Sequence, residues 1–265
     1  MGGRGSLSPN AHKMYNIRTI YDEMKKTGVE VYGLQHISRK GLSLVVEALE
    51  TVQKIEKKHG KLIDTVIIGL KRNSDFSFIG EFAPPVKPGR KQKSYGRTLV
   101  IPLKTAQSGK VDLEKAIKTA NKYSNKENKV NFVVAKNVKQ MVYHEMGHAV
   151  HYALKKSDPD SYREFERRFA TLVKNPSSRV NLSHYAKTKA YNGKIGSHEY
   201  VAESMVHILR NTKTRKGQDM VDLVWDFMSR VPSTNFSSYG SRRSKTPTIQ
   251  VRPGRPKTIK RRRKK

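Results

Sequence analysis

Two histidines and a glutamate stand within five consecutive residues, at a spacing that suits metal chemistry. The segment at 143–151 reads YHEMGHAVH, with His144 and His148 four residues apart. On a helix this spacing places both imidazoles on one face, one turn apart, where they can bind one zinc ion. Glu145 would then lie beside the water on the metal and act as its general base, as in the HExxH helices of metalloproteases. The segment therefore predicts a zinc-dependent hydrolytic site.

Apolar residues surround the motif at helical spacing, which predicts that this helix, expected over 136–156, is buried. Two histidines and a carboxylate inside a buried helix need a partner, because an unpaired buried polar group is costly. A zinc ion would supply that partner. The alternative is an amphipathic helix that carries these polar residues by chance. The apolar positions are Met141, Val142, Met146, Ala149, Val150 and Ala153.

A catalytic zinc ion takes three protein ligands and keeps one position for water, so the chain must supply one more ligand. The metzincin pattern would require glycine and histidine where this chain has His151 and Leu154. His151 is three residues beyond His148 and could approach the same face, but it lies nearly a turn further along, so we expect a second-shell or structural histidine. His198 stays open as a ligand. The favoured candidate is Glu199, in the segment HEYVAES at 198–204.

At this segment the chain resembles the gluzincin metalloproteases, in particular the catalytic domain of anthrax lethal factor and related phage-encoded domains. That family carries E-x-x-A-E on a downstream helix, and Glu199, Ala202 and Glu203 match the pattern. The resemblance implies that Glu199 is the third zinc ligand. We assign Glu203 to the second shell, where it would orient a histidine ligand. The segment SHYAKT at 183–188 is similar to the family's S-x-Y-x-x-T, which implies that Tyr185 hydrogen-bonds the tetrahedral oxyanion.

The resemblance covers roughly residues 60 to 212, with specific motifs only at 144–148 and 183–204. It departs from the family in one respect. More residues separate Tyr185 from Glu199 along the sequence, because residues 189–197 form an apparent insertion. This departure bears on the position of Tyr185 more than on the role of Glu199. An alternative for both glutamates of the second motif is a pair of acids favoured by the dipole at a helix start.

The charge of the chain is strongly positive. Its 265 residues contain 54 Lys and Arg against 22 Asp and Glu, a net charge of +32, which predicts a polyanionic partner such as DNA or RNA. The absence of cysteine excludes disulfides and thiolate zinc sites. No apolar run reaches the length of a membrane span, and the start lacks the core of a signal peptide. We therefore expect a soluble protein without a membrane partner, in the cytoplasm of a host cell or within a phage virion.

The composition changes after residue 231. Residues 241–265 hold twelve Lys or Arg and no acid, which predicts that 232–265 is a disordered basic tail that binds nucleic acid without sequence preference. The segment RPGRPK at 252–257 also resembles an AT-hook, but only in part, since Pro253 stands where the hook has arginine. The candidate nucleic-acid-binding residues are Arg252, Arg255, Lys257, Arg261, Arg262 and Arg263.

The expected fold class is α+β. We expect a disordered start over 1–10 and a zincin-like metalloprotease domain over 11–231, with a small mixed sheet, an edge strand beside the motif helix and a helical C-terminal part. Strands are predicted at 29–34, 65–70, 76–82 and 98–103, the last at an edge because of Pro102. Residues 175–197 lack periodicity and are expected to be irregular. Helices are predicted at 14–26, 38–59, 111–123, 136–156, 159–174, 199–210 and 219–231.

The predicted function is that of a zinc endopeptidase acting on a protein or peptide, with the substrate strand paired to 98–103. Glu145 is the general base and Tyr185 stabilises the oxyanion. The alternative is a non-catalytic, DNA-associated phage head protein with a zincin-like fold. A toxin aimed at a host protein is a third hypothesis, suggested only by the likeness to lethal factor.

Overall fold

Helices predominate in the structure, a computed structural model that describes residues 9–70, 76–80, 96–188, 190–191 and 194–231. The described residues form a mixed α and β arrangement, as the sequence predicts. The helices are α1 (Pro9–Lys26), α2 (Leu42–His59), α3 (Leu103–Ser108), α4 (Lys110–Asn128), α5 (Val138–Ser157), α6 (Pro159–Lys174), α7 (His184–Thr188), α8 (Ser197–Arg210) and α9 (Gln218–Met228). The strands are β1 (Glu30–Tyr32), β2 (Thr65–Leu70), β3 (Ser77–Ile79), β4 (Thr98–Pro102), β5 (Ala190–Tyr191) and β6 (Lys194–Ile195).

The larger sheet has the strand order β1-β2-β4-β3. Strands β1, β2 and β4 are parallel, whereas β3 pairs antiparallel with β4. The prediction that 98–103 forms an edge strand is therefore wrong, because β4 lies between β2 and β3. Pro102 is the last residue of β4 and directly precedes α3, so its missing N–H falls at the end of the strand. The edge strand beside α5 is β3.

Helix α5, which carries the HExxH motif, is buried between neighbours. It packs on α2, α6, α8 and β3, and its most extensive contact is with α8. Gly147 permits that contact, because a Cβ atom built on it would lie 2.4 Å from Cα of Ala202. Asn137 begins the helix, its side chain accepting a hydrogen bond from the Gln140 N–H at 3.0 Å. The close approach of α5 and α8 brings the two motifs of the sequence together.

Several element boundaries differ from the predictions. Residues 9 and 10, expected to be disordered, begin α1, while 1–8 lie outside the described residues. Helix α2 begins four residues after Ser38, whose hydroxyl instead accepts the Gly41 N–H at 3.0 Å. The connection expected after residue 123 continues α4 to Asn128. Within 175–197, expected to be irregular, lie α7 and the β5–β6 hairpin.

No helix in the described ranges is long and apolar enough to span a lipid bilayer. The predicted basic tail at 232–265 falls outside the described residues, as do the last two residues of the strand predicted at 76–82.

Candidate metal centre

His144, His148 and Glu199 converge where α5 and α8 meet. Glu199 Oε2 lies 3.4 Å from Nε2 of His144 and 3.6 Å from Nε2 of His148. The ligand atoms of the three residues all lie within 4.8 Å of one another. His144 and Glu199 are buried, and the His148 side chain is 18% exposed. These three buried or half-buried side chains are close enough to bind one metal ion.

The donor set and its surroundings fit a metal ion. Two imidazole nitrogens and one carboxylate oxygen are a common ligand set for zinc in hydrolases. Among the described residues, Glu199 Oε2 has no hydrogen-bond partner although it is buried. An unsatisfied buried carboxylate oxygen is costly, and a bound cation would remove that cost.

Glu203 lies behind His144, on the side away from Glu199. Its Oε1 is 3.1 Å from Nδ1 of His144, and its Oε2 accepts the Val134 N–H at 2.5 Å. Glu203 follows Glu199 by one turn of α8, so both carboxylates face α5. The contact at Nδ1 turns Nε2 of His144 toward Glu199, which is the arrangement expected of a residue that orients a histidine ligand.

The two histidines have opposite pKa shifts. Burial lowers the pKa of His148 well below its ordinary value of 6.5, and the neighbouring His144, His198 and His151 lower it further. Burial also opposes protonation of His144, but Glu199 and Glu203 outweigh it and raise the pKa of His144 well above 6.5. The negative potential that favours a proton on His144 equally favours a cation at the same place.

An open cavity of about 410 Å³ lies over the three residues. Glu145 and Tyr185 line it together with the three, so the structure brings the predicted catalytic residues to one place. Glu145 is buried. The Tyr185 ring lies 6.1 Å from the ring of His144, and its backbone N–H donates to the Phe132 carbonyl at 2.9 Å. The cavity is also lined by Phe76, Ser77, Phe78, Gly80 and Tyr152.

His151 and His198, the other two histidines considered as ligands, lie to either side. His151 Nε2 is 3.2 Å from the hydroxyl of Ser197 and 3.5 Å from Oε1 of Glu166, to which Ser197 also donates. These contacts tie α5 and α6 to the first residue of α8, two positions before Glu199. The side chain of His198 is 41% exposed and lines the cavity, with Nε2 3.6 Å from Glu199 Oε1.

The sequence did not indicate Glu166 or Ser197, because they meet only when α6 and α8 pack together. It also did not place Phe78, whose ring lies 6.0 Å from that of Tyr152 across the cavity wall. No local periodicity could have revealed either contact.

The predicted nucleic-acid-binding residues Arg252, Arg255, Lys257, Arg261, Arg262 and Arg263 lie outside the described residues. Comparisons of the chain with protein-family models, with curated proteins and with solved structures find no match.

Proposed function

We propose that this protein is a zinc-dependent endopeptidase of the gluzincin type. The observation that carries the proposal is the convergence of His144, His148 and Glu199 at the floor of a cavity that also contains Glu145. A second carboxylate behind His144 supports it, since histidine ligands of metals regularly donate their other ring nitrogen to such a group.

In the proposed reaction His144, His148 and Glu199 hold the ion. When bound, zinc acts as a Lewis acid that polarises the substrate carbonyl and brings the pKa of water near about 7. Glu145 takes the proton of the attacking water and returns it to the leaving amine. Tyr185 donates a hydrogen bond to the oxyanion of the substrate's tetrahedral intermediate.

The substrate is proposed to bind as an extended strand along β3, which replaces the 98–103 strand of the sequence prediction. Strand β3 lies at the edge of the larger sheet, and Phe76, Ser77, Phe78 and Gly80 line the cavity. An edge strand offers backbone N–H and C=O groups to an added strand, while side chains of the added strand enter adjacent pockets. Phe78 and Tyr152 would then contact a substrate side chain beside the reacting bond.

Metal content per chain tests this proposal. The wild type is compared with His148→Ala, Glu199→Ala and the control His207→Gln, which alters a half-buried histidine in the last turn of α8. We expect one zinc per chain in the wild type and the control, and strong loss in both alanine variants. Loss in His148→Ala alone would contradict the role of Glu199 and move the third ligand to His151 or His198. A wild type without zinc, even after zinc is added back, would overturn the protease proposal.

A second candidate function is supported by the charge of the chain, which at +32 favours association with a polyanion. In this proposal the protein is a non-catalytic, DNA-associated component of a phage head. Association with DNA is also compatible with catalysis, in a protease that stays on nucleic acid. Deletion of 232–265 should weaken DNA binding while cleavage of peptides continues. DNA binding in a wild type that holds no zinc and cleaves no peptide would favour the second function alone.

A further inference from the structure

Helix α4 carries a row of lysines on its exposed face. Lys115, Lys118, Lys122 and Lys126 are three or four residues apart, so they share one face of the helix, and all four are exposed. We call them the α4 lysine row. The opposite side of the helix carries the buried Ile117, and α4 packs there on α3 and α5. At 1.5 Å per residue the row is about 17 Å long.

The lysines of the row have no anionic partner among the described residues, in contrast to several other surface lysines. Lys26 and Lys57 pair with Glu23, and Lys110 pairs with Glu47. Among the described residues, none of the four ammonium groups of the row makes an ion pair or a hydrogen bond. Like charges four residues apart on a helix are each destabilising by about 0.2–0.5 kcal/mol. The row therefore repels itself, and an external polyanion would relieve that repulsion.

A second basic segment continues the row at the end of α4. Lys216 Nζ donates to the backbone carbonyl of Lys129 at 2.5 Å, which holds the α8–α9 connection against the end of the helix. The same connection carries the exposed Lys213 and Arg215. The positive surface thus extends from the middle of α4 to the segment before α9.

We propose that the α4 lysine row, with Lys213, Arg215 and Lys216, is a nucleic-acid-binding surface within the described part of the chain. It would contact the phosphate backbone and read no bases. Duplex DNA carries one negative charge per about 1.7 Å of its axis, so a row of this length faces on the order of ten phosphates. This inference rests on α4 and the α8–α9 connection and does not depend on the metal centre.

Two features favour nucleic acid over an anionic membrane. A helix that enters a lipid surface presents a broad apolar face. Leu113 and Ile117 of α4 are packed into the protein, and the exposed Val111 and Tyr123 are too few to form such a face. Tyr123, 63% exposed, follows Lys122 in the sequence. A single exposed ring beside positive charges suits stacking on an unpaired base of single-stranded nucleic acid.

The test measures binding of the full-length chain to a labelled duplex and a labelled single strand over a series of salt concentrations. The variant replaces all four lysines of the row by glutamine. The control replaces four other exposed lysines by glutamine, namely Lys25, Lys40, Lys54 and Lys58, which removes the same charge. Each phosphate contact contributes about 0.9 to the slope of log affinity against log salt on duplex DNA. We expect the slope of the row variant on the duplex to be shallower than that of the control by up to about 3.6, which corresponds to four phosphate contacts.

Two results would overturn the proposal. One is an equal slope for the row variant and the control. The other is a row variant that loses binding to phosphatidylserine vesicles and keeps its DNA affinity, which would assign the surface to a membrane. Helix content by circular dichroism confirms that the variant is folded, since removing like charges leaves α4 intact. Tyr123→Ala should weaken binding to the single strand more than binding to the duplex, and an equal effect on both would contradict the stacking role.

Discussion

The carboxylate of Glu203 lies 3.1 Å from Nδ1 of His144, with the glutamate side chain fully buried. The other oxygen of Glu203 accepts the Val134 N–H, and the adjacent Val133 N–H donates to the side chain of Asn121 in α4 at 2.9 Å. The ring of His144 is therefore held by a chain of contacts that reaches outside the cavity. Its orientation depends on residues that touch neither the proposed metal nor the substrate.

Glu203→Gln should lower the zinc affinity about 10-fold to 100-fold, because outer-shell partners of histidine ligands contribute on that scale. Glutamine keeps the size of the side chain, but it has one acceptor oxygen in place of the two carboxylate oxygens that face His144 Nδ1 and the Val134 N–H. Competition with a chromophoric chelator measures the affinity. The control is Ser204→Ala, which alters the next buried residue of α8. Equal affinities for Glu203→Gln and the wild type would contradict the orienting role.

Glu145→Gln should retain one zinc per chain and lose peptide cleavage by about 10²-fold to 10⁴-fold, the range in which a general base contributes. Metal analysis and hydrolysis of a mixed peptide library check the two parts separately. Glu164→Gln, on the exposed side of α6, is the control that alters an acid outside the cavity. Undiminished cleavage by Glu145→Gln would refute the mechanism.

Tyr185→Phe removes the hydroxyl proposed to stabilise the oxyanion and keeps the ring that packs edge-on against Phe132 at 5.7 Å. Loss of one oxyanion donor costs about 10²-fold to 10³-fold in kcat. We expect such a fall in kcat with little change in KM, measured by steady-state kinetics on a peptide substrate. A variant with raised KM and unchanged kcat would show that Tyr185 binds the substrate without acting on the transition state.

Gly147→Ala should destabilise the protein by roughly 1–3 kcal/mol, since its methyl group would meet the backbone of Ala202 at 2.4 Å. Helix propensity alone predicts that the substitution stabilises the protein, because alanine is favoured over glycine in a helix by about 1 kcal/mol. Urea unfolding of metal-stripped protein measures the difference. Thr119→Ala, at an exposed position of α4, should be neutral or slightly stabilising. A stabilised Gly147→Ala would mean that α5 and α8 can move apart without cost.

Glu56 makes the stability depend on pH. Burial raises the pKa of Glu56 from 4.5 to about 7, although its Oε1 accepts the N–H groups of Leu62 and Ile63 at 2.7 and 2.9 Å. Between these two pH values the folded protein holds a proton that the unfolded chain releases, so the free energy of unfolding falls as pH rises. Burial lowers the pKa of His207 to about 4, which has the opposite effect between pH 4 and 6.5.

Glu56→Gln isolates the contribution of Glu56 to the pH dependence of stability. Its stability relative to the wild type should grow by on the order of 3 kcal/mol as the pH rises from 4.5 to 7. Urea unfolding of both proteins at several pH values gives the difference, in which the contribution of His207 cancels. Parallel stability profiles would show that Glu56 is already ionised in the folded protein.

Local signals predicted several elements with their observed bounds. The β-branched run at 65–70 forms β2, and α6 covers 159–174 because Pro159 starts it and Asp158 accepts the Ser161 N–H at 3.0 Å. The order of the strands could not be predicted from local signals. The pairing of β2 with β4 joins residues more than thirty positions apart, and it is decided by packing on the helices.

In the candidate site, too, local signals predicted some residues, while others could not be predicted because packing brings them together. The four-residue spacing of His144 and His148 is enough to place both on one face of α5. Glu199 could be chosen over His151 and His198 only through the resemblance to the gluzincins, since composition and spacing left all three open. The contacts of His151 with Glu166 and Ser197 depend on how three helices pack, which no pattern within one of them records.

The three proposed ligands reach the site by different routes during folding. His144 and His148 come together as soon as one turn of α5 forms, whereas Glu199 arrives only when α8, about fifty residues later, docks on α5. An ion held by all three would therefore fasten two segments that the unfolded chain keeps apart. Above its dissociation constant, each tenfold rise in free zinc would add about 1.4 kcal/mol to the free energy of unfolding. The melting temperature would then report occupancy of the site without any substrate.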